Sequence, residues 1–150
     1  MKLRLQQMLM AMAISSPSLA FAALGGNVNT VQADSAHMKA TLRIASTQEK
    51  YTVHEIETPS GTVVREYASP SGTVFAVTWR GPTIPDLRQV LGDYFDTYTQ
   101  AANIKHSGHS HLSVLQPGLV VHSSGHMRAF SGRAYVPSLV PQNVIAEEMQ

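Results

Sequence analysis

Three histidines, His106, His109 and His111, fall within six residues of one another, with His122 and His126 further along. Neutral imidazoles ligate zinc, copper and nickel. On an extended chain His109 and His111 project from one face, and a loop can fold His106 back towards them. A divalent transition metal is therefore the one cofactor the sequence raises, with His106, His109 and His111 as its ligands. No acidic residue lies inside the cluster and no His-Glu-x-x-His pair occurs. The plainer reading is a solvated loop needing no cofactor, in which histidine is simply polar.

A second constellation runs from Gly125 to Tyr135 and holds His126, Arg128, Arg133 and Tyr135. Two guanidinium groups near an imidazole grip a carboxylate or phosphate in bidentate fashion, which makes these four the candidate ligand-binding residues. The competing reading is a strand whose arginines pair with Glu55, Glu57 or Glu66 across a sheet. Catalytic signatures are missing. A hydrolase needs an activated nucleophile, a base and an oxyanion site, and neither a Gly-x-Ser-x-Gly elbow nor a Ser-x-x-Lys pair occurs. Glu55 and Glu57 share a strand face, as paired glycosidase carboxylates would, but solvated glutamates share faces more often. No glycine-rich phosphate loop stands between a strand and a helix. Trp79, Tyr94, Phe95 and Tyr98 are spaced as core residues.

These side chains must be positioned by a few elements. Thr58-Pro59-Ser60-Gly61-Thr62-Val63 recurs as Ser69-Pro70-Ser71-Gly72-Thr73-Val74. Each Pro-Ser-Gly is a turn signal, and segments 51–57, 62–68 and 73–80 read as a three-strand antiparallel meander. Alternation puts Phe75, Val77 and Trp79 on one face of the third strand and Val74, Ala76 and Thr78 on the other. Next, Thr83 reads as a helix cap with Asp86 as its capping-box partner and Pro85 in the first turn. Leu87, Val90, Leu91, Tyr94, Phe95 and Tyr98 then form one apolar stripe. Asn103 to Ser113 reads as a polar loop and Gln116-Pro117-Gly118 as a turn. A second hairpin is expected from Leu119–His122 and Met127–Val136, joined across Ser123-Ser124-Gly125. A short helix opened by Thr30 and running to Met38 or Leu42 completes the set. The expected fold class is α+β: an antiparallel meander sheet packed by one long amphipathic helix, plus a short N-terminal helix.

Residues 1–22 read as a signal peptide. Lys2 and Arg4 precede an apolar run from Leu5 to Ile14, then Ser15-Ser16-Pro17, and finally the small-residue triplet Ala20-Phe21-Ala22. Cleavage after Ala22 leaves a single exported domain, 23–150. That run is about half of what spans a bilayer, so no membrane span is expected after cleavage. The chain has no cysteine, which removes lipidation at the cleavage point, disulfides and thiolate chemistry. Loss of Lys2 and Arg4 from the 11 basic residues leaves nine against ten acidic ones, a net charge of −1. Nucleic-acid binding needs a dense positive surface, and that balance argues against it.

Several segments together carry a resemblance. They are Ala23-Leu24-Gly25-Gly26, Pro59 to Tyr67, Val74 to Trp79, Gly81-Pro82 with Pro85-Asp86-Leu87, Gly125 to Arg128, and Gly132 to Pro137. Along nearly the whole mature chain they resemble a family of exported proteobacterial proteins catalogued as a domain of unknown function. The resemblance implies a periplasmic or secreted location in a Gram-negative envelope and brings no activity or ligand. The sequence thus points to a non-catalytic domain binding an envelope protein or a small ligand. A histidine-loop metal binder and a small periplasmic hydrolase are the alternatives.

Overall fold

The computed structural model describes residues 23–30, 36, 39, 41–104 and 111–150. Seven strands form one sheet: β1 (Thr41–Thr47), β2 (Thr52–Glu57), β3 (Val63–Ala68), β4 (Val74–Gly81), β5 (His111–Gln116), β6 (Leu119–His126) and β7 (Ala129–Tyr135). Their spatial order is β1-β2-β3-β4-β7-β6-β5, and every neighbouring pair is antiparallel. A four-strand meander thus meets a three-strand meander, with β7 returning beside β4. The twin turns work alike. Gly61 and Gly72 hold φ of 84° and 85°, which glycine adopts without steric penalty. Thr58 and Ser69 use their hydroxyls to bridge the main chain of Thr62 and Thr73.

One face of the sheet is covered by helix. α1 (Leu87–Leu91) and α2 (Phe95–Ile104) are separated by a 3-10 turn at Gly92–Tyr94. Val90, Leu91 and Ala101 pack against Ile56, Val64, Val77, Trp79, Val121 and Ala134 in one core cluster. The break occurs because Gly92 turns out of the helix at φ 51°, ψ −125°. The segment 23–30 fills the space so made. A side chain at Gly92 would meet the Ala23 Cβ at 2.5 Å. Leu24 is 2% exposed and its N–H donates to the Val90 carbonyl at 3.1 Å. Gly25 and Gly26 then exchange hydrogen bonds with Val74 at 2.8 and 2.9 Å. The guanidinium of Arg88 stacks 4.4 Å from the Phe95 ring centroid, bridging the two helices.

The opposite face is covered by the chain after β7. Ala146 and Met149 are buried against Val53, Tyr67, Phe75, Ala76, Val120 and Tyr135. This tail has no long element, only 3-10 turns at Pro137–Leu139 and Ala146–Glu148.

These observations overturn the α+β expectation. The protein is mostly one antiparallel β-sheet, and the single long helix is two short ones broken at Gly92. No short N-terminal helix occurs among the described residues, where the chain makes a 3-10 turn at Val28–Thr30. The helix expected from Thr30 falls mainly on positions outside the described residues, and Thr41 and Leu42 belong to β1. Helix α1 starts later than expected. Asp86, not Thr83, is its cap, accepting from the N–H groups of Arg88 and Gln89 at 3.0 and 3.4 Å. Pro85 disfavours helical geometry at the residue before it, and Thr83 instead bonds Ser60 and Thr62. The face assignment in β4 changes too. A register shift opposite Tyr67 and Ala68 places Val74 with Val77 and Trp79 in the helix-covered core, and Phe75 with Ala76 under the tail.

Candidate functional site

Register alone aligns a polar row across the sheet. Glu55, Arg65, Thr78, Arg133, His122 and Ser113 are successive partners on β2, β3, β4, β7, β6 and β5. Directly paired residues share a face in an antiparallel sheet, here the tail-covered one. A second row on that face runs Glu57, Val63, Arg80, Ser131, Ser124, His111. The row on the other side, Val53, Tyr67, Ala76, Tyr135, Val120 and Leu115, is apolar or aromatic. The tail seals part of that third row and leaves the polar rows partly open.

Over β4, β7, β6 and β5 the open part is a cleft of about 690 Å³. Thr78, Arg80, His111, Ser113, His122, Ser124, Ser131 and Arg133 line it, with Met149 and Gln150 as the wall. Two guanidinium groups, two imidazoles and four hydroxyls therefore meet in one hollow, and no aspartate or glutamate is among its lining residues. Ser113 Oγ lies 3.1 Å from His122 Nδ1, and Ser124 Oγ lies 3.1 Å from Ser131 Oγ. On the far side of the tail the same face forms a wider hollow of about 870 Å³, bordered by Tyr51, Glu55, Arg65 and Tyr67. There Arg65 Nε holds the Glu55 carboxylate at 2.9 Å, and Glu55 is 5% exposed.

The tail is pinned between the two hollows by Arg65 and Arg133. Arg65 Nη1 and the Tyr67 hydroxyl donate to the Gln150 main-chain oxygen at 2.8 and 2.9 Å. Arg133 Nη1 donates to the Glu147 main-chain oxygen, and the Tyr135 hydroxyl donates to Glu147 Oε1 at 2.7 Å. Burial first, and then the neighbouring Glu147 carboxylate, push the Tyr135 hydroxyl up to about 12. The Glu147 carboxyl is held below the usual carboxylate range, chiefly by the Tyr135 hydrogen bond. Arg133 Nε and Trp79 Nε1 are buried without a hydrogen-bond partner. A buried unpaired donor costs about 1–3 kcal/mol.

The four ligand-binding candidates separate into two pairs. Arg133 lies on the cleft floor, and Tyr135, one turn of the pleat away, sits buried beneath the tail. His126 and Arg128 are exposed at the β6–β7 end, outside the cleft lining. They are apart because the hairpin reverses at Met127-Arg128, not at Ser123-Ser124-Gly125. Both turn residues hold positive φ, 43° and 67°, the geometry of a two-residue hairpin turn. Gly125 lies within β6, where the Phe130 ring covers it. Of the proposed metal ligands, His106 and His109 lie outside the described residues, while His111 opens β5 and borders the cleft. Among the described residues no three metal-ligating side chains gather.

Thr78, Arg80, Ser113, Ser124 and Ser131 were not singled out from sequence. Their signal was weak but present. Once Gln116-Pro117-Gly118 is taken as a hairpin turn, His111, Ser113 and Leu115 alternate with Leu112 and Val114 as a strand should. The guanidinium, hydroxyl and imidazole groups of this site are hydrogen-bonding groups suited to an anion. Ser113 and His122 stand as a nucleophile and base would, but no described side chain holds the second nitrogen of His122.

Among the described residues no helix is long and apolar enough to cross a membrane. A model of a family described as "Protein of unknown function" matches residues 20–149. No curated protein and no solved structure matches the chain.

Proposed function

The chain belongs to that family, DUF2844, whose description carries no activity, and from its geometry we propose a non-catalytic exported domain that binds a small oxyanion in the cleft over β4, β7, β6 and β5. The single observation that carries this reading is the lining: Arg80 and Arg133 with hydroxyls and imidazoles around them, and no aspartate or glutamate among the lining residues. A carboxylate or phosphate takes bidentate hydrogen bonds from a guanidinium, and each hydroxyl adds a neutral donor. The volume of about 690 Å³ falls within the range of small-molecule sites.

Calorimetric titration of phosphate and of malonate into the mature protein tests the reading. Saturable binding is expected, weakened about tenfold or more in Arg133→Ala and also weakened in Arg80→Ala. Affinity unchanged in both variants would reject the site. Export to the Gram-negative envelope is the second part of the proposal. It is supported by the basic–apolar–small pattern of residues 1–22 and by the use of Ala23 and Leu24, the next residues, as buried parts of the fold. Mass spectrometry of periplasmic protein should find Ala23 as the first residue. Cytosolic protein retaining Met1 would overturn export.

A further inference from the structure

We infer that the tail 137–150 is a displaceable occupant of the anion site, so that oxyanion binding and tail docking exclude one another at Arg133. The inference rests on the anion-binding reading above and adds its regulation. A guanidinium offers two edges to a bidentate acceptor. In Arg133 the edge containing Nε is shut, because Nε is buried with no partner. The other edge contains Nη1, and Nη1 is already given to the Glu147 main-chain oxygen. A carboxylate or phosphate can therefore engage Arg133 in bidentate fashion only if Glu147 withdraws.

The docked tail also leaves the buried Nε of Arg133 without a hydrogen-bond partner. An arriving oxyanion that lets the side chain turn supplies what the tail does not. The contacts to be given up are the hydrogen bonds of Arg65 and Tyr67 to Gln150, those at Glu147, and the burial of Ala146 and Met149. Beyond Arg133, Glu147 is held by the Tyr135 hydroxyl at 2.7 Å, and its own side chain is exposed. The 3-10 turn Ala146–Glu148 is a single turn, and Pro137 and Pro141 mark the stretch where the tail leaves β7. Met149 forms part of the cleft wall, so its withdrawal widens the hollow that the ligand enters.

Hydrogen–deuterium exchange of the full mature chain, with and without saturating phosphate at constant ionic strength, reads the tail directly. The Glu148 and Met149 amides bond to Ile145 and Ala146 in the docked turn. Their exchange is expected to quicken about tenfold on binding, while β4 and β7 keep their protection. Malonate should act in the same way as phosphate. Calorimetry of Tyr135→Phe and Glu147→Ala, each of which loosens the tail without touching the cleft lining, should show phosphate affinity raised about three- to tenfold. Saturable phosphate binding with unchanged tail exchange, or unaltered affinity in both variants, overturns the exclusion while leaving the anion site standing. Absence of saturable binding by the wild-type chain overturns both.

Discussion

At the scale of single residues, the most consequential contact joins Tyr135 to Glu147 across the tail. The fold favours the neutral phenol, because burial and the adjacent carboxylate raise it to about 12. An unfolded tyrosine ionises near pH 10. The unfolded chain therefore sheds this proton first, and the contribution of Tyr135 to stability is complete below pH 10 and is lost as pH rises towards about 12. Thermal melting between pH 8 and pH 11.5 should show a fall in the wild type that is smaller in Tyr135→Phe. At neutral pH the same variant should lose about 1 kcal/mol in denaturant unfolding, the worth of one hydrogen bond. His54 acts at the acid end. Burial lowers its pKa, so the unfolded chain takes up a proton more readily, and stability falls as pH drops through and below about 6.5.

At the scale of elements, glycines mark where backbones meet. Gly92 combines φ of 51° with an Ala23 contact that leaves no room for a methyl group. Gly92→Ala is expected to cost about 2 kcal/mol or more, measured by urea unfolding. Gly118, in the β5–β6 turn, has no atom within 4 Å of its Cβ position. Gly118→Ala should stay within about 0.5 kcal/mol of wild type, and equal losses at the two sites would refute the account of the helix break. Gly132 serves the sheet differently, because the Trp79 ring lies 2.2 Å from where its Cβ would be. The bulky indole thus occupies the space beside Gly132 on β7, on the face opposite Arg133.

At the scale of the whole molecule, the sheet is a partition with unlike coverings. Helices and the segment 23–30 close one face with an apolar core, and the tail crosses the other between two hollows. The first covering is integral. Leu24 is 2% exposed and belongs to the main core cluster, so Leu24→Ala should cost about 2–5 kcal/mol. A loss under about 1 kcal/mol by denaturant unfolding would show that the segment is peripheral. The tail contributes Ala146 and Met149 to the second cluster, and one of its polar partners, Arg133, is the residue proposed to take the ligand. On the proposed reading, one covering is fixed and the other exchanges with the ligand.

Part of this was legible in the chain itself. The two Pro-Ser-Gly turns and the strands around them follow from local chemistry, since proline and glycine dictate φ wherever they stand. The absence of cysteine is likewise written in residue types, and Arg133 stood out there as one of the candidate ligand-binding residues. Tertiary structure decided the rest. Gly92 looks tolerable inside an apolar stripe until Ala23, 69 positions earlier, occupies the space beside it. The Met127-Arg128 turn lacks the usual Asn-Gly or Asp-Gly signal, so register between β6 and β7, and with it the separation of His126 and Arg128 from Arg133, came from pairing across strands. The cleft itself joins Arg80, Ser113, His122 and Arg133 from four strands. Local propensity acts over a few residues, whereas such a site exists only once long-range pairing has fixed which side chains share a face.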